Sequence, residues 1–335
     1  MVDFLLRART LPARPLMERF RSVAAMADIP GLLPGLVPAL RAYSGLQVPD
    51  ARSSRETRSL GRLGNLEVLL AGKATDVRRA QKLRYRVFYK EMSAIADAAT
   101  LFARRDIDAF DAICDHLLVV DHARSRHDIL RKPEIVGTYR LLRQHIAERH
   151  GGFYSAAEFD IEPLLRRHRH LRFLELGRSC VLSHYRNKRT VELLWQGIWN
   201  YVVQHRQDVM IGCASLEGTN PDRLALPLSF LHHFARAPEE WRARTVDARH
   251  VEMNRVPKDA IDPKTALKQL PPLIKGYLRL GAFVGEGAVV DDQFGTTDIL
   301  IILPISAINA RYLTHFGAVT NDAAPLPKRD GLPLS

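Results

Sequence analysis

The stretch RFLELGRSCVLSHYRNKRT, residues 172–190, decides how the rest of the chain is read. Phe173, Leu174, Leu176, Val181 and Leu182 give its first half the apolar content of a strand, yet Glu175 and Arg178 stand inside it with Gly177 between them. Charges are depleted from strand interiors, and an interior glycine marks a bulge or a close backbone approach. An edge strand with a solvated ion pair accounts for these residues as readily as a buried site does, so the flanking sequence has to decide. The second half, from Tyr185, is a basic run. Thr190 there reads as the cap of a helix to about Gln207, with Val191, Leu194, Trp195 and Ile198 on its buried face.

Outward from this stretch the pattern is α+β. LEVLLA from Leu66, HLLVVD (116–121), EIVGTYRLLR (134–143) and VMIGCAS read as strands. Thr75 or Asp76 caps a helix whose Ala80, Leu83 and Val87 face the core, and Pro221 to Phe234 reads as another helix. LPPLIKGYLRLGA suggests a short helix, followed by strands FVGEGAVV and TTDILIILPIS. This order predicts an α/β (α+β) fold, a mixed sheet with helices on both faces.

At 335 residues, 46% apolar and 26% charged, the composition is that of a soluble globular protein. No apolar run approaches the roughly 20 residues that span a bilayer, and no secretory signal is evident. Three dispersed cysteines argue against a disulfide framework or a zinc site, and no metal site is expected. The net charge of +12 suits an acidic protein or an anionic membrane better than nucleic acid, whose recognition motifs are lacking.

Residues 1–60 stand apart. Ten arginines and no lysine face five acids up to Gly64, and Leu16, Phe20, Val23 and Ala27 lie on one helical face before the proline-broken IPGLLPGLVPAL. Such a segment can lie in a membrane interface or dock on its own domain. The expected organisation is an extension over 1–60, a catalytic domain over 61–315 and a tail over 316–335.

Two apparent motifs are discounted. His116 and Asp121 fit a His-x4-Asp pattern, but residues five apart on a strand face opposite ways. Cys180 with His184 reads better as a structural thiol than as a nucleophile with its base. The acids Asp106, Asp108, Asp111 and Asp115 are a different matter. They crowd into ten residues of a basic chain, and Asp108 and Asp111, three apart, can point the same way. With Glu175 they would form an anionic pocket for a small cation.

LRYRVFYKEM (83–92), FDAICDHLLVVD (110–121), VGTYRLL (136–142), FLELGRSCV (173–181) and the block from Leu270 to Pro304 occur in that order. Together they resemble the bacterial L-ornithine N-alpha-acyltransferase family of ornithine-lipid synthesis, sometimes labelled hemolysin-like, over about Gly64 to Pro304. A more distant likeness is to acyl-homoserine lactone synthases. Their shared pattern falls on Arg84 or Arg86 with Val87-Phe88, on Asp108 with Asp111, on Arg140, and on Glu175 with Arg178.

The resemblance implies a GNAT-like, mostly antiparallel sheet and transfer of a (3-hydroxy)acyl chain from acyl-carrier protein to the α-amine of L-ornithine, with no bound cofactor. It further implies Glu175 as general base, Arg178 orienting it, and Gly177 at a bulge that turns an N–H toward the oxyanion. Asp108, Asp111 and Asp115 would hold amino groups, Arg140 the carboxylate, with Arg84, Arg86 and Phe88 lining the acceptor, and Tyr185 would protonate the thiolate. The Gly-rich coenzyme A turn is missing, and YRNKRT stands in its place. Arg186, Lys188, Arg189 and Thr190 at a helix start would then take the single phosphate of phosphopantetheine. A cytoplasmic enzyme at the inner membrane face follows, with residues 1–60 as its lipid contact. A lactone synthase and a non-catalytic membrane-active protein are the alternatives.

Overall fold

The computed structural model describes residues 58–123 and 132–308. The expected membrane-facing helix and most of the terminal segments lie outside the described residues. The sheet opens with a hairpin of β1 (Arg58–Leu63), which the sequence reading passed over, and β2 (Leu66–Leu70), the strand expected from Leu66. Gly64, at φ 64°, and Asn65 close it, and only a residue tolerant of the left-handed region suits that corner. β1 straddles the boundary expected at residue 60.

Helix α1 (Ala74–Tyr85) follows and continues as a π-helical turn, Arg86–Glu91. Ala80, Leu83 and Val87 are buried as expected, but the cap position is Lys73, without a side-chain bond from Thr75 or Asp76. After α2 (Ala98–Ala103) come β3 (Asp115–Asp121), β4 (Glu134–Arg143) and the short α3 (Gln144–Ala147). Next are β5 (Phe159–Asp160), α4 (Glu162–Arg167) and β6 (Phe173–Val181), the strand of the decisive stretch.

Helix α5 (Lys188–Gln204) is capped by Asn187, whose side chain accepts from the Thr190 N–H, rather than by Thr190. Thr190 is therefore one turn inside the helix and fully buried. The phase shifts with it: Leu193, Leu194, Ile198, Tyr201 and Val202 are buried, whereas Val191 is exposed. Gly197 lets this helix close on the sheet, because a Cβ there would stand 2.5 Å from Val68.

The chain then forms β7 (Val209–Glu217), α6 (Ala225–Phe234), β8 (Arg244–Thr245), α7 (Pro263–Gln269) and α8 (Pro272–Leu280). The single strand expected from FVGEGAVV is two, β9 (Phe283–Val284) and β10 (Val289–Asp291), interrupted at Gly287 with φ 84°. Finally β11 (Thr296–Pro304) runs through the centre of its side of the sheet, buried along its length.

The order across the sheet is β1-β2-β3-β4-β6-β7-β11-β10, with β9 also on β11, while β5 and β8 pair separately. Every neighbour is antiparallel except β6 and β7. That exception positions the site. β6 and β7 pair only over Phe173–Glu175 against Val209–Ile211, and then run on to Val181 and Glu217 without pairing each other. At the apex of the resulting V, Gly212 lies so close to the Leu176 carbonyl that no side chain would fit.

Candidate active site

Inside the V, β6 departs from regular pairing. Gly177 lies opposite Arg140 and Cys180 opposite Thr138, so Arg178 and Ser179 together oppose one β4 residue, Tyr139. This is a β-bulge, and its left-handed residue is Arg178, at φ 49°. Gly177 was expected to supply the bulge. It instead borders open space, since a Cβ built on it meets nothing within 4 Å. A non-glycine residue in the left-handed region costs of order 1 kcal/mol or more, so the surroundings have to hold Arg178 there.

They do so with rings and carboxylates. The Arg178 guanidinium lies 5.0 Å from the Tyr154 ring centroid and 4.9 Å from that of Phe294. It pairs with Asp108 at 3.3 Å and Asp106 at 3.5 Å. Arg140 holds both oxygens of Asp108, at 2.5 and 2.6 Å, and reaches Asp111 at 3.5 Å. Arg84, wholly buried, binds Asp106 at 2.6 Å and Asp111 at 2.8 Å. Three guanidinium groups and three carboxylates thus form one lattice. Burial alone would raise the Asp111 carboxyl, but Arg84 and Arg140 hold it well below the usual carboxylate range. Asp108 is likewise lowered, by Arg140 and Arg178 against its own desolvation.

The lattice corrects several expectations. Asp108 and Asp111 are occupied by arginine and do not present free carboxylates to a substrate amine. Arg84 and Arg140 have their charge consumed in the same way, and at 3% exposure Arg140 is poorly placed for a substrate carboxylate. Asp115 lies elsewhere, paired with Arg143 at 3.3 Å and accepting from the Tyr201 hydroxyl at 2.7 Å. Arg86 is half-exposed beside Glu91, and Phe88 is buried edge-on against Phe294. Arg178 does not touch Glu175.

Glu175 is oriented by backbone. Its two oxygens accept from the N–H groups of Tyr154 and Ser155, each at 2.8 Å, which fixes the turn carrying Tyr154. Desolvation raises its carboxyl above the ordinary value against those hydrogen bonds. Tyr185 is displaced from the site: its hydroxyl donates to Asp121 at 2.7 Å, five residues along β3 from the partner of Arg140. At about 3.3 Å per residue this is on the order of 16 Å away, too far to protonate a group at Gly177.

At the start of α5, Lys188 and Arg189 are exposed. Arg186 reaches back to Glu91 at 2.6 Å. The Thr190 hydroxyl is buried, 3.3 Å from the Asn187 side chain, and cannot meet a ligand. The discounted motifs stay discounted. His116 bonds the Asp111 carbonyl at 3.0 Å, far from Asp121, and burial pushes the Cys180 thiol up to about 12.

A second acidic group went unnoticed in the sequence. Glu158, Asp291 and Asp298 each bring a carboxylate oxygen within 4.8 Å of the others, a spacing that suits an ammonium or a metal ion. Asp298 lies on β11 opposite Ser215, and Cys213, two residues before it on β7, donates its thiol to Glu158 at 3.4 Å. Burial raises both Glu158 and Asp298; Asp298 and Asp291 add to the rise at Glu158, and Asp291 to that at Asp298. Arg249 approaches Glu158 at 3.4 Å, but Asp298 has no ion-pair partner among the described residues. Burial beside these acids also pushes the Cys213 thiol far up, so it is no thiolate nucleophile. Tyr154, whose hydroxyl is raised by burial, feels Arg178 on one side and Glu158 on the other.

Residues 83–196 match the acetyltransferase (GNAT) domain family. The L-ornithine N(alpha)-acyltransferase of Rhizobium meliloti (strain 1021) is 52% identical over 284 residues, covering 85% of this chain and 94% of the relative. The chain belongs to the L-ornithine N(alpha)-acyltransferase family. A relative of the same name from Rhodobacter capsulatus is 39% identical, over 73% of this chain and 92% of its own. Among solved structures, FeeM, an N-acyl amino acid synthase from uncultured soil microbes, aligns with a TM-score of 0.39 and 9% identity. That alignment covers 75% of this chain and 92% of FeeM. The family carries the GNAT fold and acyltransferase activity, and the mixed, mostly antiparallel sheet agrees with the sequence reading.

Proposed function

We propose that this protein transfers an acyl chain from acyl-carrier protein to the α-amine of L-ornithine inside the V between β6 and β7. One observation carries the reading: Gly177 borders open space, and the neighbouring Arg178 lies in the field of the second acidic group, acting on Asp298 directly and sharing Tyr154 with Glu158. Ornithine is an amino acid with a second ammonium, and it matches that polarity end to end. Its carboxylate meets Arg178, the most exposed of the lattice arginines and the one held most loosely, at 3.3 and 3.5 Å from its aspartates, and its side-chain ammonium meets the acidic group.

The donor enters from α5. Lys188, Arg189 and the helix start receive the phosphate of the phosphopantetheine arm, and the basic surface steers the acidic carrier protein. The arm runs along the unpaired edges of the V, where backbone groups of both strands are free to bond its amides. Its thioester carbonyl then lies at the bulge, whose unpaired backbone N–H stabilises the developing oxyanion. A donor of this kind is worth roughly 3–4 kcal/mol where measured in other enzymes.

Glu175 takes the proton from the α-ammonium. It lies on the same face as Gly177 two residues away, about 6–7 Å, so one water completes the path. Glu175 passes that first proton to solvent; the neutral amine then attacks the thioester carbon, the C–N bond forms, and Glu175 takes the second proton from the nitrogen through the same water. The C–S bond breaks, and that second proton returns to the departing thiolate. Lattice arginines and aspartates hold Arg178 and the bulge in place throughout.

The test is purified full-length protein with 3-hydroxyacyl carrier protein and ornithine, lysine, glutamine or glycine in turn, scored by product mass. The expected product is the α-amide of ornithine, with glutamine and glycine poor acceptors. No amide with any amino acid sinks the transfer reaction. Equal use of glycine sinks the assignment of Glu158, Asp291 and Asp298 to the side-chain ammonium.

A further inference from the structure

Eight large apolar side chains are exposed among the described residues, and four fall in one short stretch: Met92 at 51%, Ile95 at 68%, Leu101 at 54% and Phe102 at 94%. The segment is held firmly. Ala94 N–H bonds the Phe88 carbonyl at 2.9 Å and Ile95 N–H the Gln293 carbonyl at 2.7 Å. Asp97 caps α2 through the Thr100 N–H at 2.7 Å, and Arg104 ends that helix in the left-handed region at φ 50°. A fixed backbone thus presents these side chains outward, and solitary exposed apolar residues elsewhere need no such account.

The position of the ridge adds to its composition. The Gln293 carbonyl that anchors Ile95 belongs to the loop whose next residue, Phe294, stacks on Arg178. On its other flank Glu91 is bound by Arg186, at the donor end of the V. Arg86, Lys90 and Arg104 are exposed around it; of the two acids there, Glu91 is neutralised by Arg186 and Arg86, and Asp97 is engaged as the cap of α2. The ridge therefore borders the site with an apolar crest and a basic rim.

We infer that the crest Met92–Phe102 inserts into the interface of an anionic bilayer and sets the mouth of the site against it. The inference rests on the acyltransferase reading in one respect: an acylated amino acid is an amphiphile, and it partitions into lipid rather than water. Charge selects this occupant over the chain's own N-terminal segment, which is itself arginine-rich and would be repelled by the rim. An acidic carrier protein would satisfy the rim as well; four large apolar side chains within residues 92–102, Phe102 among them at 94% exposure, favour the bilayer, and the turnover arm of the test separates the two. Crest and rim together are the combination that binds lipid interfaces: apolar area for the acyl boundary and cations for the headgroups.

Two full-length variants test it against vesicles of phosphatidylcholine with and without phosphatidylglycerol. Phe102→Trp should show blue-shifted fluorescence on anionic vesicles and quenching by lipids brominated along the acyl chain, beyond that of the native tryptophans. Ile95→Ser/Phe102→Ser should lower sedimentation with anionic vesicles about tenfold. Its circular dichroism and its turnover of a short-chain carrier-protein donor without vesicles should equal those of the native protein. Native-like sedimentation of the double variant, or vesicle binding without quenching of the new tryptophan, overturns the inference, because another surface then meets the lipid. So does a double variant that still binds vesicles but loses turnover with the carrier-protein donor, which would make the ridge a protein-docking surface. Vesicle binding does not depend on catalysis, so a failed acyl-transfer assay and a failed insertion test are distinguishable.

Discussion

Two groups of three carboxylates flank Arg178, and they live by different rules. Asp106, Asp108 and Asp111 are matched one for one by Arg84, Arg140 and Arg178. Among the described residues, Arg249 alone forms an ion pair with Glu158, Asp291 and Asp298, through Glu158; Asp298 has the Thr296 hydroxyl instead and feels Arg178 only at longer range. The first group titrates low where a shift is resolved, and the second titrates high for both its buried members. Burial is common to the two, so the difference is the counter-charge. A lattice that carries its own cations is scaffold, whereas acids kept without them suit the incoming ammonium proposed above.

The largest effect should come from breaking the matched group. Removing one partner of a buried ion pair strands the other, which costs about 3–5 kcal/mol. Arg84→Ala removes the nearest cation of both Asp106 and Asp111, leaving them only the 3.5 Å contacts of Arg178 and Arg140, and should lower the midpoint of chemical denaturation accordingly. Arg178 would lose its hold on the bulge as well, so activity should fall with stability. An Arg84→Ala protein as stable as the parent would mean that the lattice is not what holds the site.

The unmatched group should behave in the opposite sense. Asp111 lies below its unfolded value, so its contribution is present above about pH 4 and fades as pH falls through its folded value. Glu158 and Asp298 lie above theirs, so their contribution is present below about pH 4 and is lost as pH rises through the folded values. At neutral pH their ionisation works against folding. Glu158→Gln should therefore keep or slightly raise the melting temperature, while kcat/KM for ornithine drops about 10–100-fold through the lost charge-assisted contact. In the native protein KM for ornithine should climb as pH falls, beginning above the range of ordinary carboxylates near about 4.5. A KM flat down to that range would remove Glu158 and Asp298 from ammonium binding.

The contrast also explains what sequence could deliver. Glu175 in a strand was legible as a misfit because one residue among apolar neighbours is a local signal. Asp298 in TTDILIILP carries the same signal and was passed over, since the run around it was read only as a buried strand. The aspartates around residue 108 were legible as a cluster, but not as scaffold. Their arginines lie as far off in the chain as Arg178 is from Asp106, and reach them only once β4, β6 and α1 have packed. Strand β1 escaped for another reason: only Leu60 of its six residues is buried, so RSLGRL shows no apolar alternation. The V itself has no sequence signature, because it is two strands ceasing to pair.

Gly177 permits the finest test, because it precedes Arg178 at the bulge and borders open space. Its φ is not in the left-handed region and a Cβ there meets no atom within 4 Å, so alanine is conformationally free and sterically unopposed in the unliganded protein. Interior glycine is costlier than alanine in a strand by roughly 0.5–1 kcal/mol, so Gly177→Ala should melt at the same temperature or slightly higher. The methyl group would nonetheless stand where the acyl thioester and the amine are proposed to meet. Turnover should fall by about tenfold while denaturation is unmoved, a separation that an ordinary packing position does not give. Equal turnover in Gly177→Ala would show that the reacting atoms meet elsewhere in the V, and would leave the matched lattice intact as scaffold for a site displaced toward β7.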